Sequence, residues 1–359
     1  MGEQSDALRG TRFFIIAAAL VIIIAGINQA QSVLVLFLGS VFLAIIGTPP
    51  VLWLRRKHVP SLVAVIIVMG GIITLLLVIG GVVGASLNAL SNALPFYQTR
   101  LQGQLLALKP LLASKHIVVT DKVLLEYINP GPLLGLVVGM LTSLGQAFSS
   151  IVLVLLTVAF ILLEASSFPV KLRAALGNPH QAFPQFTKFV HDIKRYMIIK
   201  TIISLTAGVI LGLWLVILGV DFPVLWGFLA FLMHYVPNIG GIICGAPVVF
   251  LALIELGVGP ALLVAAGYIG VGFTLGNFVE PRLMGQKLGL STLVVFLSLI
   301  AWGSLLGPIG MVLCVPLTMT LKFGLELHKD TRWIAALLGS EKPAQILPRM
   351  SKKKIDSET

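Results

Sequence analysis

Long apolar runs, separated by short polar stretches, make up most of this chain. A run of about 20 apolar residues is long enough for a helix to cross the hydrocarbon core of a bilayer. The pattern therefore predicts an all-α polytopic membrane protein with about eight membrane segments. The continuous spans are predicted at Phe13–Ile27, Val33–Leu54, Ser61–Val83, 132–163, Thr201–Val220 and Ala261–Val279.

Two further apolar runs, at about 224–254 and 290–321, are broken near their middles by proline and glycine. Proline lacks a backbone N–H and glycine adds chain entropy, so a regular helix is costly there. Lipid cannot hydrate the backbone groups that a break frees, so they must face protein or a watery cavity. Broken helices are a recurring way to build transport sites, which makes a transporter the leading hypothesis.

Polar stretches between the runs divide the chain into regions. Leucines at helical spacing from Leu87 to about Asn129 predict amphipathic helices outside the bilayer or on its surface. The basic connector from Ser166 to Lys200 predicts an amphipathic helix that leads into the next span. The predicted regions are 1–86 with three spans, 87–131 as an extracytoplasmic amphipathic region, 132–165 with the fourth span, 166–200 as a cytoplasmic connector, 201–325 as a transport core with both breaks, and 326–359 as a charged cytoplasmic tail.

Two topologies fit the broken runs, because each is too short for two full spans and long for one. Each run either crosses once with a kink or enters and leaves on the same side as a re-entrant hairpin. Both topologies place the two termini on one side, which the basic residues predict to be cytoplasmic. Hairpins also place Arg282 and Lys287 on that side, so the positive-inside rule favours hairpins.

The hairpin topology would make the second half of the chain an inverted repeat. Span 201–220 with the first break would run opposite to span 261–279 with the second, as alternating access requires. The spacing from Gly240 to Cys244 equals the spacing from Gly310 to Cys314, which fits such a repeat.

Composition and motifs narrow the function further. The chain is 57% apolar and only 11% charged, against about 25% charged in soluble domains. The net charge of +11 comes from basic residues at the ends of apolar runs, which indicates orientation rather than nucleic-acid binding. No phosphate-binding loop, HExxH or GxSxG motif occurs, and the two cysteines lie within apolar runs. We therefore predict no enzymatic activity, cofactor or metal site.

The candidate residues lie at the breaks and at the end of one span. Asn238 and the freed carbonyls around it can bind a polar solute or a cation, or Asn238 can simply cap a half-helix. Asn277 and Glu280 are three residues apart and thus on one helical face, where they can serve a coupling Na⁺ or H⁺. Alternatively, Glu280 is an interfacial acid paired with Arg282. The full set proposed for the solute or ion path is Pro237, Asn238, Gly240, Gly241, Asn277, Glu280, Gly307, Pro308 and Gly310.

The second half of the chain also resembles a known family. The stretches DFPVLWGFLAFLMHYVPNIGGIICGAPVVFLAL and GNFVEPRLMGQKLGLSTLVVFLSLIAWGSLLGPIGMVLCVPLT are similar to the two hallmark blocks of the autoinducer-2 exporter family, or PerM-type permeases. Thr292 stands where members commonly carry proline. The resemblance implies a bacterial inner-membrane transporter that forms homo-oligomers. Members are linked to autoinducer-2 export and some to sodium/proton exchange, so the resemblance leaves the substrate open.

The sequence thus predicts a secondary transporter that exports a small polar solute of the autoinducer-2 type by alternating access. The solute path is expected between the two broken segments. Two alternatives remain at this stage. The chain can be a sodium (or other cation)/proton antiporter, or a non-transporting membrane scaffold that docks a partner through region 87–131.

Overall fold

The described part of the chain is entirely helical. The computed structural model describes residues 15, 18–19, 21–113, 139, 151–165, 171, 179–237, 239–284, 289–328 and 331–339. Helices joined by short turns account for these residues, and no strand occurs among them. The chain divides into two compact units, residues 1–43 with 288–359 and residues 44–287, and each is described by itself.

We number ten α-helices within the described ranges. Five helical segments there, at Gln31–Arg56, Ser61–Leu90, Phe186–Leu218, Val258–Met284 and Thr292–Leu327, are long and apolar enough to cross a membrane by length and composition. This agrees with a polytopic membrane protein. The α-helices are α1 Gln31–Arg56, α2 Ser61–Ala113, α3 Ile151–Glu164, α4 Pro179–Leu218, α5 Pro223–Met233, α6 Gly240–Glu255, α7 Val258–Thr274, α8 Glu280–Met284, α9 Thr292–Leu327 and α10 Arg332–Leu337.

Two helices run on past the boundaries expected from the sequence. Helix α2 does not end at Val83 but continues to Ala113, so the third span and the start of the amphipathic region are one helix. Helix α4 likewise joins the amphipathic connector to the span after Lys200 without a break. Residues 114–138, and most of the predicted fourth span, lie outside the described residues, as does part of the predicted first span.

At the first break the chain turns back on itself. Helix α5 ends at Met233, a turn follows, and α6 begins at Gly240. The Cys244 thiol lies 3.9 Å from the Trp226 carbonyl, although 18 residues of straight helix would separate them by about 27 Å. At the other end the Asp221 amide donates to the Glu255 carboxylate at 3.2 Å. Helices α5 and α6 therefore lie side by side, with the start of α5 next to the end of α6. We call this pair of helices the first hairpin.

The second break, within α9, also folds back. Gly307 has φ 66° and ψ −149°, a left-handed conformation that interrupts the helix. The Trp302 indole N–H donates to the Thr318 hydroxyl at 3.0 Å, 16 residues away, where a straight helix would give about 24 Å. The Lys322 ammonium donates to the Gly289 carbonyl at 2.6 Å, so the two ends of this second hairpin also meet.

Glycines bring α4 and α5 together in the unit formed by residues 44–287. A Cβ added at Gly208 would lie 2.7 Å from the Gly227 carbonyl and 2.7 Å from the Phe231 Cβ. One turn further on, a Cβ at Gly212 would make only ordinary contacts at 3.6 Å. Small residues allow this close approach, which positions the first hairpin against α4.

These two glycines give a matched test of the crossing. We expect Gly208→Ala to lower the stability of the folded protein by about 1–3 kcal/mol, because the new methyl meets backbone and Cβ atoms that cannot rotate away. Gly212→Ala is expected to be tolerated. Thermal unfolding of the purified protein in detergent measures both. Equal melting temperatures for the two variants would contradict the close crossing.

Candidate functional site

The tip of the first hairpin is a turn from His234 to Ile239. Ile239 occupies the N-cap position of α6. Its side chain makes no hydrogen bond, so it does not cap the start of that helix. Pro237 lies in the turn and is half-buried, while Asn238 lies outside the described residues. The predicted break is therefore present, but the role of Asn238 stays a prediction.

The two glycines after the turn differ in their surroundings. Gly240 is buried, and a Cβ there would collide with the Met233 carbonyl at the end of α5. Gly241 is exposed, and a Cβ there would meet nothing within 4 Å. Gly240 thus closes the turn through backbone-to-backbone packing, whereas Gly241 does not take part in it.

The tip docks on the face of α4 that follows Lys200. The Tyr235 hydroxyl donates to the Thr201 hydroxyl at 2.8 Å. Ser204 follows Thr201 by three residues and precedes Gly208 by four, so it lies on the same helical stripe, which faces the first hairpin. This stripe brings polar groups of α4 beside the turn.

A buried ion pair joins α4 to α8 next to this turn. The Lys200 ammonium lies 3.0 Å and 2.9 Å from the two carboxylate oxygens of Glu280. The Lys200 side chain is only 4% exposed and that of Glu280 is 22% exposed. The partner of Glu280 is therefore Lys200 rather than Arg282, and sequence reasoning missed it because 80 residues separate the pair.

A π-helical turn, Leu275–Val279, stands between α7 and Glu280. Single π-helical turns are rare in proteins, and those that occur are often found at functional sites. The turn also corrects the argument that placed Asn277 and Glu280 on one face, because spacings of an α-helix do not hold across it. Asn277 is exposed, whereas Glu280 turns out to be paired with Lys200.

Two buried polar atoms near the tip lack a hydrogen-bond partner among the described residues: His234 Nε2 and Ser204 Oγ. Ser204 is fully buried, and the Lys200 ammonium is within electrostatic reach of the His234 ring. A buried hydroxyl or imidazole nitrogen without a partner is costly, so each such group needs an explanation. From the sequence, His234 is either a proton relay or a histidine satisfied by a neighbour within the helix bundle, and nothing there marks Ser204.

The tip of the second hairpin repeats part of this geometry in the other unit. Pro308 follows the left-handed Gly307, and Pro308 is exposed. Gly310 is buried, and a Cβ there would collide with the Trp302 carbonyl, just as one at Gly240 would collide with Met233. Both tips therefore depend on a glycine that packs against the end of the preceding half-helix.

A second polar cluster closes the open end of the first hairpin. The Tyr97 hydroxyl of α2 donates to the Asp221 carboxylate at 2.5 Å, and Asp221 in turn contacts Glu255 through its amide. Burial is the main cause that raises the pKa of the Glu255 carboxyl above its ordinary value. Helix α2 thereby holds both ends of the hairpin. No group of His, Cys, Asp and Glu in the described ranges is arranged to hold a metal ion.

Comparison with known proteins identifies the family of the chain. The family model described as AI-2E family transporter matches residues 13–327. The AI-2 transport protein TqsA of Escherichia coli K12 is 40% identical over 338 residues, which cover 94% of this chain and 98% of TqsA. YhhT of the same organism, whose name gives transport without naming a substrate, is 37% identical over 94% of this chain and 97% of its own length. The chain therefore belongs to the AI-2E transporter family.

Proposed function

We propose that this protein is a secondary transporter that exports a small polar solute of the autoinducer-2 type by alternating access. The observation that carries the proposal is the buried Lys200–Glu280 pair beside the first hairpin tip, with two unpartnered polar atoms next to it. Family membership supports a transport role, and TqsA is named as an AI-2 transport protein. The bacterial inner membrane is the location that this role implies.

In this proposal both hairpins are re-entrant. The ends of the first meet at Asp221 and Glu255, and its tip contacts Thr201. From Thr201 to the end of α4 at Leu218 is about 26 Å of helix, close to the hydrocarbon thickness of about 30 Å. A hairpin of this depth carries irregular backbone far into the bilayer, where only protein or a watery cavity can receive it.

The tip of the first hairpin is the proposed contact for the solute or ion. Ser204 and His234 supply hydrogen-bonding groups that a polyol-like solute would satisfy on binding. Asn238 and the uncapped start of α6 complete this contact in the proposal, as half-helix ends do in other transporters. Gly307, Pro308 and Gly310 are proposed as the corresponding contact on the second hairpin.

Ser204→Ala separates a binding role from a structural one. Removing an unpartnered buried hydroxyl is expected to leave the stability unchanged or to raise it. If the hydroxyl binds the solute, the half-saturating solute concentration should rise about 2- to 10-fold. A change of that size corresponds to the loss of one hydrogen bond. Uptake of the autoinducer-2 precursor into proteoliposomes measures the flux, and thermal unfolding in detergent measures the stability.

Thr206→Val provides the control for Ser204→Ala. Thr206 lies two residues along α4, is exposed, and already bonds the Ile202 carbonyl at 2.8 Å. Its loss should leave the flux unchanged. A Ser204→Ala protein with wild-type half-saturation would remove Ser204 from the solute contact.

The antiporter alternative draws on the same ion pair. A carboxylate that is bound to an ammonium can exchange that partner for Na⁺ or H⁺, so Glu280 would be the coupling group. The same vesicles distinguish the two functions if luminal pH is followed under an imposed sodium gradient. Sodium-dependent proton movement without solute flux, abolished by Glu280→Gln, would favour the antiporter. If neither solute flux nor proton movement is detected, the scaffold alternative is favoured.

A further inference from the structure

A groove lies between the end of α1 and the middle of α4. It has a volume of about 590 Å³ and belongs entirely to the unit formed by residues 44–287. Its walls are mostly apolar and include Ile45, Leu52 and Ile198. The proposed transport mechanism uses none of these side chains, so the groove calls for a separate explanation.

Basic side chains are also part of the groove lining. Arg56, the last residue of α1, lines it together with Lys194 and Arg195 of α4. No acidic side chain is among the lining residues, all of which the structure describes. Three cations beside an apolar wall would repel one another unless an anion neutralised them. The groove therefore fits an amphiphile with an anionic head.

The length of the groove fits one leaflet of a membrane. Ile45 and Arg56 are about 16 Å apart along α1, close to half of the hydrocarbon thickness of about 30 Å. Next to Arg56, the ammonium of Lys57 lies 4.1 Å from the centre of the half-exposed Trp53 ring. Tryptophan with neighbouring Lys or Arg is typical of the level of lipid headgroups.

We propose that this groove binds one anionic phospholipid. Its phosphate contacts Arg56, Lys194 and Arg195, and one acyl chain lies along the apolar wall. Basic clusters face the cytoplasm by the positive-inside rule, and the cytoplasmic leaflet is the one rich in anionic lipid. The lipid would join α1 to the amphipathic half of α4, which is the helix that carries Lys200.

The test is lipid binding to the full-length protein, purified in a neutral detergent and stripped of lipid. Phosphatidylglycerol and phosphatidylcholine are titrated separately and followed by native mass spectrometry. We expect the wild type to prefer phosphatidylglycerol, and the triple variant R56Q/K194Q/R195Q to bind it about tenfold or more weakly. The control K188Q/R282Q/R332Q loses the same charge at exposed positions outside the groove and should keep wild-type affinity.

A second variant tests the apolar wall. Ile198→Trp fills the groove and leaves all three basic residues, so phosphatidylglycerol binding should fall although the charge is unchanged. Equal affinity for the two lipids, or the same loss in both triple variants, would overturn the proposal. Competition with phosphatidylglycerol by glycerol phosphate alone, or by the autoinducer-2 precursor, would also overturn the proposal. The groove would then be an anion site or a solute site rather than a lipid site.

Discussion

Gly240→Ala is expected to abolish transport, although it adds a single methyl group. The added Cβ would collide with the Met233 carbonyl, which is backbone at the end of α5 and cannot turn aside. The tip must open to relieve that collision, which should lower the stability of the folded protein by about 1–3 kcal/mol and displace the turn. Flux in proteoliposomes and thermal unfolding in detergent measure the two effects.

The neighbouring residue supplies the control. Gly241→Ala places the same methyl group where nothing lies within 4 Å, and alanine is a better helix former than glycine. It should keep both its flux and its stability. Wild-type flux in Gly240→Ala would show that the packing of the tip is not needed for transport.

The second hairpin allows the same comparison in the other unit. A Cβ at Gly310 would collide with the Trp302 carbonyl, whereas one at Gly324 would meet nothing within 4 Å. Gly310→Ala is thus expected to behave as Gly240→Ala does, and Gly324→Ala as the wild type does. If only one hairpin proved sensitive, the two tips would not have equivalent roles.

Lys200→Met is expected to cause the other large effect. It leaves the Glu280 carboxylate without its cation, and removing one partner of a buried pair costs about 3–5 kcal/mol. Because the Glu280 side chain is 22% exposed, we expect the lower end of that range. Thermal unfolding at neutral pH should show the loss, and transport should be absent.

The double variant Lys200→Met/Glu280→Gln separates stability from function. It removes both charges, so most of the lost stability should return, because a buried pair replaced by neutral groups is often tolerated. Transport should stay absent if the pair takes part in coupling or solute contact. Recovery of flux together with stability would assign the pair a purely structural role.

A surface ion pair serves as the control for this experiment. Lys171 and Glu164 are 2.7 Å apart, but their side chains are 68% and 50% exposed. Water screens such a pair, so Lys171→Met should change neither unfolding nor flux measurably. The contrast isolates burial, rather than the presence of a salt bridge, as the cause of the Lys200 effect.

Much of the architecture was predictable because it depends on local chemistry. Apolar runs of bilayer length require helices, since lipid offers the backbone no hydrogen bonds. Proline and glycine within two such runs predicted the breaks, and the structure interrupts the helices after Met233 and at Gly307. The resemblance of the two blocks to the autoinducer-2 exporter family is confirmed by the match over residues 13–327.

Site partners were less predictable because they depend on contacts between distant segments. Glu280 stood out in the sequence as an acid at a span end, but its neighbour Arg282 was the wrong partner. Lys200 becomes its partner only through the packing of α4 against α8. The π turn at Leu275–Val279 also invalidated the α-helical spacing used for Asn277. Nothing in the apolar pattern marks such a turn, so the sequence could not reveal it.

The sequence by itself determined that this protein is a helical membrane protein of the AI-2E transporter family and located the two points where its helices break. Only the tertiary structure decided that both broken segments fold back, with ends that meet at Asp221–Glu255 and Gly289–Lys322. The physical reason is that proline and glycine set whether a helix can continue. The direction in which the chain then proceeds depends on the helices against which it packs.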